Sequence, residues 1–377
     1  MAILKRNILL VSLLVLATGA ASATTLREMA GQMMLVGFRG LTIPATSPLV
    51  QDIAAGYVGG VILFDRDVLT GSRQRNIESV PQVRDLIASL QYRAPLPLFI
   101  AVDQEGGRVS RLKSEHGFRA LASHAQLGAG DVARTFREVR DTARELAAVG
   151  INLNFAPVLD LNTNPENPVI GKLGRSFSAD PEQVARHGAQ YAAALRSEKI
   201  IPVLKHFPGH GSSQHDSHLG FTDITHTWTP QELEPYRMLI ADGFHGMVMT
   251  GHIFNQNIDR HFPATLSAPV LQGMLRRELG FQGVIVSDDM QMKAITEHYG
   301  FEEAIRQAIL AGVDILLFGN NLEYDPHIAR KGVEIIVQLV EQGVLSQERI
   351  WESYQRICEL KQQVGIASCK YDDKVTK

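Results

Sequence analysis

Short apolar runs rich in β-branched residues recur along the chain, and longer amphipathic segments separate them. Because these runs are almost continuously hydrophobic, they predict strands that are buried on both faces of a sheet. Eight runs have this character: Met33–Phe38, Gly60–Phe64, Leu98–Val102, Asn152–Pro157, Pro202–Lys205, Gly246–Thr250, Gly283–Ser287 and Ile315–Phe318. Four of the segments between them are typical of amphipathic helices: Val132–Ala148, Pro181–Ser197, Ala268–Leu279 and Glu302–Ala311.

Eight predicted strands that alternate with helices predict an α/β fold, a parallel sheet closed into a single-domain (β/α)8 barrel of the TIM type. A doubly wound open sheet is the alternative, but no glycine-rich phosphate loop follows the first strand. The segment Lys331–Lys361 is predicted to form closing helices. We therefore expect one domain over residues 24–366 and a polar tail over residues 367–377.

The first 23 residues have the pattern of a secretory signal peptide. Lys5 and Arg6 precede an apolar stretch over residues 8–17, and Ala21-Ser22-Ala23 supplies small residues for cleavage. The apolar stretch is shorter than the roughly 20 residues that a membrane-spanning helix needs. We expect a periplasmic or secreted protein without stable membrane insertion, with a retained anchor as the alternative.

Composition narrows the possible partners. A net charge of -3, with 20% charged and 45% hydrophobic residues, gives no reason to expect nucleic acid or an anionic membrane surface as partner. We expect a monomer. The only cysteines, Cys358 and Cys369, could form a disulfide in an oxidising compartment, or could be a half-buried helix cysteine and an exposed tail cysteine.

Polar side chains follow most of the predicted strands. They are Asp103-Gln104-Glu105, Asp160, Lys205-His206, His252, Ser287-Asp288-Asp289 and Gly319-Asn320. In a (β/α)8 barrel the C-terminal ends of the strands converge on one face, where barrel enzymes place their active sites. One charged residue at a strand end can be simple solvation of a loop, but the repetition predicts a convergent polar pocket.

The segment from Lys205 to His218 carries four histidines within fourteen residues. A metal site is one interpretation, but Pro208-Gly209 prevents a helix from presenting two of these rings on one face. A structural role in the loop is a second interpretation, and it suits His210 and His215.

Acid–base catalysis is the third interpretation of this segment. Asp216 and His218 are two residues apart, so in an extended loop their side chains point the same way. A carboxylate beside an imidazole orients the ring and stabilises its protonated form, which can then deliver a proton to a leaving oxygen.

The apolar run that ends at Val286 leads directly into Ser287, Asp288 and Asp289. A carboxylate at the mouth of a barrel can attack the anomeric carbon of a sugar. Serine and aspartate are also common caps of a following helix, so Asp289 could serve structure while Asp288 serves chemistry.

These motifs together resemble glycoside hydrolase family 3, and within it the bacterial β-N-acetylglucosaminidases (β-hexosaminidases) that lack a second domain. The residues that carry the resemblance, in the family's order, are Val102-Asp103-Gln104-Glu105-Gly106-Gly107-Arg108-Val109, Gly174-Arg175-Ser176-Phe177, Lys205-His206-Phe207-Pro208-Gly209-His210-Gly211, Asp216-Ser217-His218 and Ser287-Asp288-Asp289-Met290. The resemblance implies a retaining exo-β-N-acetylglucosaminidase with Asp288 as nucleophile, His218 as acid/base and Asp216 as its partner. It also implies that the sugar is bound by Asp103, Arg111, Arg175, Lys205 and His206, without metal or cofactor.

Several alternatives stay open at this point. Asp160 and His252 are weaker candidates for lining the pocket. A β-glucosidase or β-xylosidase of the same fold is a rival, although those relatives typically take their acid/base from an additional domain. The remaining alternatives are a catalytically silent saccharide-binding protein and a metal-dependent hydrolase. The export signal favours peptidoglycan fragments or related amino-sugar saccharides as substrates. A further hypothesis is that phosphate competes with water as the acceptor in the second step.

Overall fold

Strands and helices alternate along the chain as the hydrophobic pattern predicts. The structure is a computed structural model that describes residues 24–366, so the predicted signal peptide, the predicted tail and Cys369 lie outside the described residues. Ten strands lie within that range: β1 (Met34–Gly37), β2 (Gly60–Leu63), β3 (Phe99–Val102), β4 (Gln104–Gly106), β5 (Val109–Ser110), β6 (Leu153–Asn154), β7 (Ile201–Phe207), β8 (Met247–Thr250), β9 (Val284–Val286) and β10 (Leu316–Phe318).

The same residues contain eleven α-helices: α1 (Leu26–Gln32), α2 (Pro48–Ala54), α3 (Val80–Gln91), α4 (His124–Gly128), α5 (Val132–Val149), α6 (Pro181–Ser197), α7 (Glu234–Ala241), α8 (Lys293–Thr296), α9 (Phe301–Ala311), α10 (Ile328–Glu341) and α11 (Gln347–Gln363). Three of the four predicted helical segments correspond to α5, α6 and α9. The fourth is a π-helix over Pro269–Glu278, at whose end the Leu279 N–H donates to the carbonyl of Met274, five residues earlier, at 2.9 Å. The predicted closing helices correspond to α10 and α11.

Eight of the strands form one parallel sheet in the order β10–β1–β2–β3–β6–β7–β8–β9. In the register of β1 and β10, for example, Val36 is paired with Phe318. A parallel bridge between Val286 and Ile315 joins the two outer strands, so the sheet closes on itself. The predicted (β/α)8 barrel is confirmed, and the alternative of an open doubly wound sheet is wrong.

Strands β4 and β5 form a short antiparallel hairpin just beyond β3, which the hydrophobic pattern did not predict. Gly106 and Gly107 make its turn with φ values of 102° and 59°, a region that favours glycine. A Cβ atom on Gly106 would lie 2.2 Å from the carbonyl oxygen of Ala122, so a larger residue does not fit there. The hairpin carries the chain from Glu105 to Arg111 across the C-terminal face of the barrel.

A buried lysine of helix α11 reaches the N-terminal end of the barrel strands. The Lys361 ammonium group donates to Gln32 Oε1 at 2.8 Å and to the carbonyl oxygens of Pro97 and Gly59 at 2.6 and 3.3 Å. Burial lowers the pKa of Lys361 to about 7. Over residues 24–366, the helices are all too short or too polar to cross a membrane.

Candidate active site

A cavity of about 370 Å³ opens at the C-terminal ends of the barrel strands. All eight residues predicted to catalyse or to bind sugar lie in its lining: Asp103, Arg111, Arg175, Lys205, His206, Asp216, His218 and Asp288. Apolar side chains such as Phe64, Phe155 and Met249 form other parts of the wall. The barrel therefore brings together polar residues that are far apart in the sequence, from Asp103 to Asp288.

A buried carboxylate, Glu105, organises the cations of the cavity. Both of its oxygens accept hydrogen bonds from Arg175, at 2.8 and 2.7 Å, and Oε1 also lies 2.7 Å from Lys205 Nζ. Burial alone would raise the pKa of Glu105, but the neighbouring charges of Arg175 and Lys205 outweigh it and hold that pKa well below its usual range. Glu105 is therefore ionised and pairs two cations that face the cavity.

Lys205 joins Glu105 to the sugar-binding candidate Asp103, whose Oδ1 lies 2.9 Å from Lys205 Nζ. The other oxygen of Asp103 is 3.4 Å from a guanidinium nitrogen of Arg111. Although burial opposes the charged form, Lys205 and Arg111 lower the pKa of Asp103. The side chain remains 17% exposed, so an ionised carboxylate is accessible to a ligand and can accept hydrogen bonds from hydroxyl groups.

His206 is oriented from behind by Asp160. The ring Nδ1 lies 2.7 Å from Asp160 Oδ2, and Asp160 Oδ1 accepts the backbone N–H of His206 at 3.1 Å. Assigning the proton to Nδ1 leaves Nε2 on the cavity side, 3.5 Å from Arg175. Asp160 itself is fully buried and is outside the cavity lining, so the expectation that it lines the pocket is wrong.

His252 is also absent from the cavity lining, contrary to expectation. Its Nδ1 lies 2.8 Å from Thr265 Oγ1, and its Nε2 lies 2.9 Å from the backbone carbonyl of Asp289. His252 thus supports the segment that carries Asp288 without facing the cavity.

The adjacent aspartates Asp288 and Asp289 have different surroundings. Asp289 Oδ1 accepts the backbone N–H groups of Gln291 and Gly319 at 3.0 and 2.9 Å, and burial raises the pKa of Asp289 to about 6. Asp288 Oδ1 accepts only the N–H of Asp289 within the described residues, at 2.8 Å. Burial opposes its ionisation, but His206 and other histidines lower the pKa of Asp288 to about 2.

Asp216 and His218 are in contact on the loop that follows β7. His218 Nδ1 and the backbone N–H of His218 both lie 2.8 Å from Asp216 Oδ1. The His218 side chain is half exposed, and its Nε2 makes no hydrogen bond to any residue that the structure describes. Burial opposes protonation, but the hydrogen bond to Asp216 and the charges of Asp288 and Asp216 raise the pKa of His218.

The other two interpretations of this loop can be compared with its geometry. His210 is buried and hydrogen-bonded to Ser217 Oγ at 3.1 Å, as a structural role requires, whereas His215 is exposed. Across residues 24–366, no group of three or more histidine, cysteine, aspartate or glutamate side chains is arranged to hold a metal ion. The contact between Asp216 and His218 is compatible with acid–base catalysis, because a carboxylate beside an imidazole orients the ring and stabilises its protonated form.

Replacing Asp216 should change the pH dependence of activity. In Asp216→Asn the negative charge is lost, so the pKa of His218 should fall towards its ordinary value. Because an acid acts in its protonated form, we expect the alkaline limb of the kcat/KM profile to move to lower pH. The profile should be measured with a substrate that has a poor leaving group. The exposed Asp242→Asn is the control, and an unchanged alkaline limb in Asp216→Asn would contradict the pairing.

Removing the charge of Glu105 should destabilise the fold. Glu105→Gln leaves the buried cations Arg175 and Lys205 with one carboxylate fewer, and breaking a buried ion pair from one side costs about 3–5 kcal/mol. We expect the free energy of unfolding in urea to fall by about 3 kcal/mol. The exposed Glu302→Gln serves as the charge-matched control, and equal stabilities of the two variants would show that Glu105 does not compensate these cations.

Carboxylates, an imidazole and several cations at the mouth of a (β/α)8 barrel are the groups that barrel enzymes acting on glycosides use. Comparison with known proteins gives the family. Residues 25–360 match the family described as "Glycosyl hydrolase family 3 N terminal domain", and the chain belongs to this family. The resemblance inferred from the motifs is therefore confirmed.

Curated relatives cover most of the chain. Beta-hexosaminidase A of Pseudoalteromonas piscicida is 32% identical over 387 residues, which include 93% of this chain and 63% of that protein. Beta-hexosaminidase LpqI of Mycobacterium tuberculosis is 32% identical over 347 residues, with 89% of this chain and 82% of that protein covered. The chain thus spans less than two thirds of the length of the Pseudoalteromonas protein.

Solved structures give the same result. A glycoside hydrolase family 3 β-N-acetylglucosaminidase from Paenibacillus sp. superimposes with a TM-score of 0.83 and 36% identity, covering 93% of this chain and 65% of that one. A β-N-acetylhexosaminidase from Beutenbergia cavernae superimposes with a TM-score of 0.80 and 29% identity, covering 90% and 98%. This chain is therefore similar over nearly all of its described residues to barrels of amino-sugar hydrolases.

Proposed function

We propose that this protein is a retaining exo-β-N-acetylglucosaminidase, with Asp288 as nucleophile and His218 as acid/base. The observation that carries the proposal is that an aspartate with a strongly lowered pKa and an imidazole with a raised pKa line the same cavity. These opposite protonation states are the ones that a nucleophile and a general acid need at neutral pH. The names of the relatives, which are β-hexosaminidases and β-N-acetylglucosaminidases, support the activity.

In the first step, an Asp288 oxygen attacks the anomeric carbon while the bond to the leaving oxygen breaks. His218 transfers its proton to that oxygen, so the aglycone departs as a neutral alcohol and the sugar is bound covalently to Asp288. In the second step, neutral His218 takes a proton from water, the resulting oxygen attacks the anomeric carbon, and the Asp288 carboxylate leaves. Two displacements retain the β configuration.

The cations and carboxylates beside the nucleophile are suited to holding a pyranose ring. Asp103 accepts hydrogen bonds from sugar hydroxyls, and Arg111, Arg175 and Lys205 donate to oxygens of the ring substituents. His206 offers one more polar atom on the same wall. Their mutual ion pairs keep these groups oriented before a sugar binds, which reduces the entropy lost on binding.

We further propose that the substrate carries a terminal non-reducing β-linked N-acetylglucosamine, in peptidoglycan fragments or related amino-sugar saccharides. The signal-peptide pattern over residues 1–23 supports action in the periplasm or outside the cell, where such saccharides occur.

The activity can be tested with 4-nitrophenyl β-glycosides of N-acetylglucosamine, glucose and xylose. We expect turnover of the first only, with the β anomer of the free sugar appearing first by NMR and no loss of activity with a chelator. A GlcNAc–MurNAc disaccharide tests the peptidoglycan substrate, and added phosphate tests whether a sugar phosphate forms. Release of the α anomer would exclude retention, and binding without turnover would identify a saccharide-binding protein.

A further inference from the structure

Ser217 lies between the two members of the Asp216–His218 pair and faces the other way. Its side chain is buried, with 2% exposure, whereas the Asp216 and His218 side chains are 24% and 50% exposed and line the cavity. The segment is a turn, closed by a hydrogen bond from the Leu219 N–H to the Asp216 carbonyl oxygen at 3.0 Å, and not the extended loop that the spacing of Asp216 and His218 predicts. Because Ser217 is the buried residue of this turn, its contacts restrain the turn and, with it, the side chains on either side.

Two hydrogen bonds fix Ser217 to different parts of the barrel. Its Oγ lies 3.1 Å from His210 Nε2, at the end of the segment that follows β7. Its carbonyl oxygen accepts the backbone N–H of Ala294 at 3.4 Å, in helix α8 shortly after Asp288. The short loop segment with the predicted acid/base is thus connected to both the strand that carries His206 and the segment that carries the predicted nucleophile.

His210 is itself held rigidly. Its N–H donates to Asp160 Oδ1 at 2.8 Å, and its carbonyl accepts from Asn167 Nδ2 at 2.8 Å. The ring packs edge-to-face against His206 with 5.9 Å between ring centroids. Burial lowers the pKa of His210 to about 4, so the ring is neutral at the pH values where such an enzyme works.

The hydrogen-bond partners of the neutral His210 ring indicate which nitrogen carries the proton. Its Nδ1 is buried and has no hydrogen-bond partner in the part of the chain that the structure describes. A buried N–H without an acceptor is costly, so we assign the proton to Nε2, which then donates to Ser217 Oγ.

We propose that His210 and Ser217 are positioning residues, whose hydrogen bond holds the loop so that the His218 imidazole faces the reacting bond. The proposal rests on the proposed function, because it requires His218 to be the acid/base. Neither residue lines the cavity, so each acts through His218 and not on the sugar.

Ser217→Ala removes one hydroxyl and should lower kcat/KM about tenfold for a substrate with a poor leaving group, as expected for one lost hydrogen bond. For a good leaving group, which needs little proton donation, the loss should be less than about twofold. Ser217→Thr keeps the hydroxyl and should restore most of the activity. Ser213→Ala is the matched control, because the Ser213 hydroxyl is buried in the same loop and has no partner within residues 24–366.

A double-mutant cycle with His210→Ala isolates the contact, since the effects of two residues that act through one hydrogen bond do not add. We expect Ser217→Ala to have little further effect in the His210→Ala background. Equal behaviour of Ser217→Ala and Ser213→Ala, or equal losses for all leaving groups, would overturn the positioning role. If His218→Ala itself shows no dependence on the leaving group, the proposed function fails and this inference fails with it.

Discussion

Asp288→Asn should lower kcat by roughly 10⁴-fold, the scale expected when a group that forms a covalent intermediate is removed. The amide has nearly the same shape as the carboxylate but lacks its charge and nucleophilicity. Because the pKa of Asp288 is lowered to about 2, the native carboxylate is ionised throughout the neutral range, so the full effect should appear at any working pH. Turnover of 4-nitrophenyl β-N-acetylglucosaminide measures the loss, and calorimetric titration with N-acetylglucosamine tests whether the sugar still binds.

Asp289→Asn is the sharpest control for this experiment. The neighbouring side chain lines the same cavity, but its Oδ1 accepts two backbone N–H groups, and an asparagine Oδ1 can accept both. We therefore expect a far smaller loss than for Asp288→Asn. A larger loss in Asp289→Asn would reverse the assignment of the nucleophile.

The barrel was predictable because its strands are buried on both faces, which leaves an almost uninterrupted apolar run in the sequence. Less of the local structure could be predicted from the hydrophobic pattern. Only Leu153–Asn154 of the predicted run Asn152–Pro157 forms a strand, and the π-helix Pro269–Glu278 has the apolar spacing of an ordinary helix. The hairpin formed by β4 and β5 is polar and short. Its turn depends on close backbone packing, which the pattern of hydrophobic residues does not reveal.

The site, too, could be predicted from the sequence only in part. Strand ends must converge in a barrel, so the residues that follow the strands could be placed near one another from the sequence. What each side chain faces depends on irregular backbone at the strand ends. Asp160 and His252 follow strands but support other residues from behind the cavity. Glu105 belongs to one of the motifs, yet its ion pairs with Arg175 and Lys205 join segments that are far apart in the sequence.

Replacing His218 should lower kcat/KM most for substrates with poor leaving groups. In His218→Ala, kcat/KM for a substrate with a poor leaving group should fall about 10³-fold, within the usual range for a lost general acid. A dinitrophenyl glycoside, whose oxygen leaves as a stable anion, should lose less than about tenfold in kcat/KM. A plot of log kcat/KM against the pKa of the leaving group should therefore become steeper in the variant.

The same variant should also slow the second step, because the proposed mechanism uses His218 there as the base that activates water. With the dinitrophenyl substrate the first step stays fast, so the glycosyl-enzyme should accumulate, and its formation should release a burst of dinitrophenolate before slow steady turnover. The exposed His215→Ala, three residues earlier on the same loop, should show neither effect. A uniform loss with all leaving groups and no burst would mean that His218 holds the substrate and does not transfer its proton, because only proton transfer couples the imidazole to both the leaving oxygen and the incoming water.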